Sequence, residues 1–412
     1  MPELGARGHS GSMSAVERSG PGTTDIPKDP EFSLVLGGPL YQLLRRIRLS
    51  DDALGVVHRR IIAAILITWV PPMALAALQG GLAGPGRTMP LIEDVEFHLR
   101  FLIVAPLLII AELIVHLRMN PIVAQFRIRD LVRPGQWDRF DHAVAEAARG
   151  RNSIVIEAVL LAIVYAAGIL ITLRRYIAMG PGGWYALPEG GLSMAGFWLV
   201  FVSLPLLQFL FLRWYFRLFL WARLLWRISR LDLDLKATHP DKAGGLGFLG
   251  ESVSAFVPIA AAQGAMFAGM MADRILFGRT KLTDFQIEVF GGAVVLLLVF
   301  TGPLMLFAAR LARVKRRGLR EYGALGQVYV RDFQQKWMSG APADEPLVGS
   351  GDIQSLADLG NSYGNAEQMR FAPIQPASLL AFLAAFLAPI LPLLLTMMSL
   401  EKLLGRLVGV VF

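Results

Sequence analysis

Long apolar runs limit what this 412-residue chain can fold into more than any other feature of its sequence. Two of them carry a single acid each, 101–117 with Glu112 and 153–173 with Glu157. Five contain no charged residue: 61–86, 190–212, 252–272, 289–309 and 371–400. About 20 apolar residues span a bilayer as a helix, the structure that satisfies its own backbone hydrogen bonds in hydrocarbon. We therefore predict an all-α, polytopic transmembrane helix bundle of seven spans, or six if the last segment is re-entrant.

The composition supports the same class and excludes others. Charged residues make up 17% of the chain and hydrophobic residues 54%, whereas soluble domains carry about 25% charged residues. An ordinary soluble enzyme is therefore excluded. The chain has no cysteine, so disulfides, thiolate metal sites and cysteine nucleophiles are excluded as well.

The distribution of positive charge predicts the orientation of the bundle. The chain has 40 Lys and Arg residues, and 31 of them lie on one side of the predicted bundle: before span 1, between spans 2 and 3, between spans 4 and 5, and between spans 6 and 7. The other 9 lie in the segments of the opposite side. Lys and Arg near span ends are retained on the cytoplasmic side. We expect a cytoplasmic N-terminus and a periplasmic C-terminus.

These patterns divide the chain into five regions. Residues 1–31 are rich in Gly, Ser and Pro and predict a disordered tail. Residues 32–60 predict a basic interfacial helix, and 61–309 contain spans 1–6 with cytoplasmic loops at 118–152 and 213–251. Residues 310–376 predict a cytoplasmic helical loop, because apolar residues recur there at helical spacing. Residues 377–412 hold the last span and the C-terminal tail. Together the cytoplasmic segments predict a helical collar.

Ionisable residues inside the spans form the first candidate site. Glu112 and His116 lie four residues apart on one helix face, and Glu157 lies near the same end of the next, antiparallel span. Intramembrane acids are costly and rarely face lipid, so each is a candidate functional residue by default. This set suits proton relay, cation binding or a metal site completed by His239, although the spacing lacks the second histidine of an HExxH motif. The alternative is that these residues reach the interface and pair with Arg118, with Arg151 or with each other.

A glycine-rich loop between spans 4 and 5, THPDKAGGLGFLG, forms the second candidate site. Its G-x-G-x-x-G match is rejected as a dinucleotide site because no strand precedes it. The loop leads to a helix N-terminus, which suits an anion. The alternative is a structural turn capped by Asp241, Glu251 or Ser252. The candidate residues are Thr238, His239, Asp241, Lys242, Gly244, Gly245 and Gly247.

Two further polar segments lie in the predicted collar. Five arginines between Arg213 and Arg230 alternate with tryptophans and predict an interfacial belt on anionic inner-leaflet lipid, which is also our interpretation of the net charge of +8. Nucleic acid is not an expected partner. Residues 349–364 include Asp352, Gln354 and Asp358, and predict either a docking or gating element or a packed loop.

Three segments together resemble a known group of proteins. They are GPLYQLLRRIRLSDDALGVVHRR at 38–60, THPDKAGGLGFLG at 238–250 and GSGDIQSLADLGNS at 349–362. In these segments the chain resembles an uncharacterised family of bacterial multi-pass inner-membrane proteins. The resemblance implies a bacterial inner-membrane location and a shared helical architecture, and it implies no activity.

Three functions remain open on the sequence alone. The first hypothesis is a transport or channel-like protein for a small solute or ion. The second is a membrane-embedded enzyme that acts on a lipid or phosphorylated substrate through acid, base or metal chemistry at Glu112, His116, His239 and Asp241. The third is a non-catalytic scaffold whose 310–376 loop recruits a cytosolic protein. Lipid is an expected partner, as is either a second copy of the chain or a cytosolic protein, and no cofactor is expected.

Overall fold

The chain folds as a bundle of helices. The computed structural model describes residues 32–46, 56–83, 89–178, 183–187, 189–278, 280–339 and 346–397. Within these ranges every named element is a helix, and extended backbone pairs only at three isolated bridges. The predicted all-α bundle is confirmed. The tail predicted at 1–31 and the chain beyond residue 397 lie outside the described residues.

Six helices are long and apolar enough to cross a membrane, and we refer to them as spans 1 to 6. They are Val57–Leu78, Val95–Ile128, Ile154–Arg174, Met194–Ile228, Gly247–Gly278 and Leu282–Trp337. They correspond to the first six apolar runs of the sequence, so the chain is a multi-pass membrane protein. In the described part of the seventh run, up to residue 397, the α-helix is Pro376–Leu387, and a 3₁₀ turn follows at Leu391–Thr396. Pro389 and Pro392 account for the break, because proline cannot continue an α-helix.

Several spans change helix type along their length. Spans 2, 3 and 4 each contain one π-helical turn, at Arg100–Val104, Val164–Gly168 and Leu199–Ser203. The α-helical parts of the six spans are Val57–Thr68, Val70–Leu78, Val95–Leu99, Ala105–Ile128, Ile154–Ile163, Ile169–Ala178, Met194–Trp198, Leu204–Ile228, Glu251–Ala255, Val257–Gly278, Gln286–Thr301 and Ala308–Trp337. The 3₁₀ turns of spans 5 and 6 are Gly247–Gly250, Leu282–Phe285 and Gly302–Phe307.

Span 5 lies at the centre of the bundle and is rich in small residues. It packs against span 2 and the helix Pro376–Leu387, and Ala262, Ala265 and Gly264 allow these close approaches. Span 3 is peripheral, since Ile154–Ile163 has no buried residue. Its apolar side chains are exposed in the protein and suit contact with lipid.

The collar forms at one end of the bundle from segments between the spans. The helix Trp137–Arg151 packs along span 4, where Arg223 and Arg227 pair with Glu146. Span 6 continues beyond its apolar part and packs against the helix Gly351–Glu367 as an antiparallel hairpin. The 32–60 region begins with a buried, non-helical stretch at 32–38 before the helix Pro39–Arg46. Its positions 47–55 lie outside the described residues.

Candidate functional site

Two glutamates and three arginines from four spans meet in the bundle, and we refer to Arg60, Glu112, Glu157, Arg213 and Arg217 as the Arg–Glu cluster. Glu112 accepts hydrogen bonds from Arg60, from Arg213 Nη1 at 3.1 Å and from Arg217 Nη1 at 2.8 Å. Arg213 Nε also lies 3.4 Å from Glu157 Oε1. A single buried carboxylate thus holds three guanidinium groups.

The cluster is buried among the helices of the bundle. Arg60, Glu112, Arg213 and Arg217 are each at most 6% exposed. Arg217 also stacks over Trp214, with its guanidinium carbon 4.8 Å from the ring centre. Paired charges have a smaller free-energy cost of transfer from water than isolated charges have. Removing one partner is costly, because it leaves the other charge buried and unpaired.

The predicted lipid belt is wrong for part of its length. Arg213 and Arg217 point into the bundle and bind Glu112, and Arg223 and Arg227 bind Glu146. Arg230 stacks on Trp226 at 4.0 Å, while Trp214 and Trp221 are buried. Arg213 and Arg217 follow the apolar run 190–212 at i, i+4 spacing, which places them on one helix face but does not distinguish the interior of the bundle from the lipid interface. Arg60 precedes the apolar run of span 1 by one residue and has no comparable signal.

His116 lies one turn beyond Glu112 and contacts the N-terminal segment rather than the arginines. Its Nδ1 lies 2.9 Å from Ser33 Oγ, and the same hydroxyl accepts hydrogen bonds from the backbone amides of Val35 and Leu36. Arg151 donates to the carbonyl of Ser33. These contacts hold the N-terminal segment around Ser33 close to the cluster.

A small cavity lies beside the cluster. It measures about 10 Å³, close to the space that one water-sized sphere needs. Two adjacent glycines with positive φ, Gly37 and Gly38, carry the N-terminal segment past it. Gly37 has a φ of +135°, which residues other than glycine rarely adopt, and a Cβ there would also lie 2.2 Å from Asn152 Oδ1. The cavity is lined by Gly37, Arg151, Glu157, Leu160, Arg213, Phe216 and Arg217.

A second, larger cavity of about 180 Å³ lies farther along spans 3 and 4. Most of its lining is apolar, but Arg100, Thr172 and Gln208 contribute polar groups, and Gln208 Nε2 donates to Thr172 Oγ1 at 3.1 Å. All three π-helical turns lie next to it, because Arg100 begins the first, Thr172 follows the second by four residues and Leu204 follows the third. π-helical turns are rare and concentrate at functional sites.

A pair of carboxylates lies at the end of the bundle opposite the collar. Asp273 accepts hydrogen bonds from the amides of Val95 and Glu96 at 3.0 and 3.2 Å, and Asp94 accepts from Phe97 at 2.6 Å. Trp184 Nε1 also donates to Asp94 at 2.8 Å. Burial raises the pKa of Asp94 above its ordinary value. The pair carries no short sequence signal, since Asp94 and Asp273 are far apart in the chain.

The glycine-rich loop is organised around its own aspartate. Asp241 accepts hydrogen bonds from the amides of Ala243, Gly245 and Gly247 at 2.8, 3.1 and 2.8 Å, and its Oδ1 lies 2.9 Å from His239 Nδ1. Burial raises the pKa of Asp241, but these backbone donors outweigh burial and hold the pKa below its ordinary value. The amides that suit an external anion are thus engaged by Asp241, which matches the structural-turn alternative.

The remaining residues of the loop connect it to the collar. Lys242 and Gly244 have positive φ, and the carbonyl of Lys242 accepts from the amide of Arg370 at 2.7 Å. Arg370 Nη2 also donates to the carbonyl of Asp241 at 2.9 Å. Thr238 is half-buried.

The candidate docking element is the start of the helix Gly351–Glu367. Asp352 accepts from Lys336 Nζ at 2.8 Å and from Trp337 Nε1 at 3.0 Å, so it joins the two helices of the hairpin. These two donors lower the pKa of Asp352. Gln354 donates to Asp358 at 2.9 Å on the exposed face of the same helix.

The histidines and carboxylates do not assemble into a metal site in the part of the chain that the structure describes. No group of three or more His, Asp or Glu residues there is arranged to hold an ion. His116 contacts Ser33, whereas His239 contacts Asp241.

Comparison with known proteins identifies no relative of this chain. No family model matches it, and neither a curated protein nor a solved structure is significantly similar.

Proposed function

We propose that the protein moves a small ion across the membrane and that the Arg–Glu cluster is its binding site. The observation that carries this proposal is a cluster of five ionisable side chains from four spans, of which four are buried and Glu157 is partly buried. Charged groups inside a membrane protein are costly, face the interior of the bundle and mark ion or substrate pathways. Packing alone does not require buried charged side chains, because apolar side chains fill the same volume without the free-energy cost of desolvating a charge.

Polar groups at three levels support a route through the bundle. Span 2 carries Glu112, and Arg100 lies 12 residues earlier, which corresponds to roughly 18 Å along a helix. Arg100 lines the larger cavity, and Asp94 lies at the start of the same span. The route we propose therefore follows span 2 from the collar, past the cluster and the larger cavity, to the opposite end.

We further propose a bacterial inner-membrane location with the collar in the cytoplasm. This rests on the segregation of Lys and Arg residues to the segments that form the collar. The absence of cysteine makes a direct test convenient, because any introduced thiol is unique.

A thiol at Glu189 and a thiol at Asp358 are expected to report opposite sides of the membrane. Both residues are exposed, the first in the loop before span 4 and the second on the hairpin. In intact cells a membrane-impermeant maleimide is expected to label Glu189→Cys but not Asp358→Cys, and both after lysis. Labelling of Asp358→Cys alone in intact cells would invert the proposed orientation.

Flux through reconstituted vesicles tests the proposed activity. Vesicles with a potassium chloride gradient, and a protonophore that supplies the charge-balancing proton flux, are expected to lose the gradient faster when they contain the purified protein, as followed with a pH-sensitive dye. Glu157→Gln is expected to slow this loss by about tenfold, because it removes a cluster charge while Glu112 keeps its three arginines. The matched control is Glu146→Gln, which alters a carboxylate of the collar.

Two outcomes of this experiment would count against the proposal. If wild-type protein leaves the gradient unchanged, ion transport is rejected. If a folded Glu112→Gln, Glu157→Gln double variant dissipates the gradient at the wild-type rate, the cluster has no part in transport.

A further inference from the structure

The smaller cavity contains more positive than negative charge. Three arginines line it, Arg151, Arg213 and Arg217, against one glutamate, Glu157. Behind this wall lie Arg60 and Glu112, so the set holds four arginines and two glutamates. Among these described residues the surplus is two positive charges, and four of the six side chains are buried.

One guanidinium nitrogen of a cavity-lining arginine has no hydrogen-bond partner in the part of the chain that the structure describes. Arg217 Nη1 binds Glu112, whereas Arg217 Nη2 is buried and has no hydrogen-bond partner among the described residues. Arg217 is 3% exposed. A buried charged donor without an acceptor costs more than a neutral one, and the acceptor that best offsets this cost is negatively charged.

We infer that the cavity beside Arg217 binds a single-atom anion, a halide such as chloride, and that this anion is the species the protein carries. The second half of the inference rests on the proposed transport function. A water molecule would satisfy Arg217 Nη2 but would leave the surplus charge unbalanced. Carboxylates, phosphate and sulfate are excluded by size, since the cavity holds about one water-sized sphere.

The site has a closing segment as well as a charged wall. Gly37 lies against the cavity, and the segment before it is held by contacts of Ser33 with His116 and Arg151. Leu160 and Phe216 complete the lining with apolar surface. An anion bound here would lie in a partly enclosed cavity beside two buried arginines, Arg213 and Arg217, and their burial strengthens the attraction.

Chloride binding by the purified full-length protein tests the inference. In detergent and a gluconate buffer, wild-type protein is expected to broaden the ³⁵Cl NMR resonance saturably, and added bromide to reverse the broadening. Arg217→Lys is expected to weaken binding by about tenfold, because a lysine that binds Glu112 cannot offer a second nitrogen to the anion. Arg223→Lys, on the same helix but paired with Glu146, is the matched control and is expected to bind like wild type.

A second pair of variants tests the cavity without changing any charge. Leu160→Phe is expected to fill the cavity and abolish the saturable broadening, whereas Val159→Phe, at a position 51% exposed, is expected to retain it. The absence of saturable broadening in wild type, or full broadening in Leu160→Phe, would overturn the inference. Chloride binding without ion flux would support the anion site and reject the transport function. Ion flux without chloride binding would support transport and reject the anion site.

Discussion

Replacing Glu112 with glutamine is expected to lower the free energy of unfolding by about 3–5 kcal/mol. The variant preserves the shape of the side chain but removes the charge that holds Arg60, Arg213 and Arg217. Three buried guanidinium groups would then repel one another, with Glu157 as the remaining acidic member of the cluster. The measurement is equilibrium unfolding of the detergent-purified protein, followed by tryptophan fluorescence, since Trp214 contacts Arg217.

Glu146 provides the matched control for this experiment. It also binds two arginines, Arg223 and Arg227, but these side chains are 42% and 32% exposed. Exposed ion pairs contribute about 0–1 kcal/mol, so Glu146→Gln is expected to change stability little. An equal decrease in the free energy of unfolding in the two variants would show that burial does not determine how much the cluster contributes to stability.

Replacing Gly264 with alanine is expected to disturb the packing of the last apolar helix on span 5. A Cβ at Gly264 would lie 1.9 Å from the carbonyl oxygen of Phe386, so the two backbones cannot keep their separation. Overpacking of this kind costs about 1–3 kcal/mol. We expect lower thermal stability and faster proteolysis within Pro376–Leu387.

The control for this substitution is another glycine within a span. Gly291 has no atom within 4 Å of the position its Cβ would occupy. Gly291→Ala is expected to leave stability unchanged or to raise it by up to about 1 kcal/mol, because alanine favours the helix. If Gly264→Ala is equally well tolerated, the last helix does not depend on close contact with span 5.

The bundle was predictable because hydrocarbon sets a minimum length for each span, and six of the seven apolar runs meet it as continuous helices. The seventh is interrupted at its prolines. The three π-helical turns were not predictable, since one extra residue in a turn leaves composition and length almost unchanged.

The candidate site was predictable in part. Glu112 and Glu157 were identifiable as costly intramembrane acids, and the structure places both against Arg213. Their arginine partners were not identifiable in the same way, because an arginine at the end of an apolar run fits an interfacial position equally well. Whether an arginine side chain points into the bundle or toward lipid depends on which helices are its neighbours. No short sequence segment carries that information.

The order of the cluster residues along the chain has a consequence for biogenesis. Arg60 is synthesised before Glu112, and both glutamates are synthesised before Arg213 and Arg217. Glu112 therefore meets Arg60 when its own span leaves the translocon, whereas Glu157 has no cluster arginine of its own until Arg213 is synthesised in span 4. A chain truncated after span 3 carries two glutamates and a single cluster arginine, and we expect it to be a ready substrate for quality-control proteolysis.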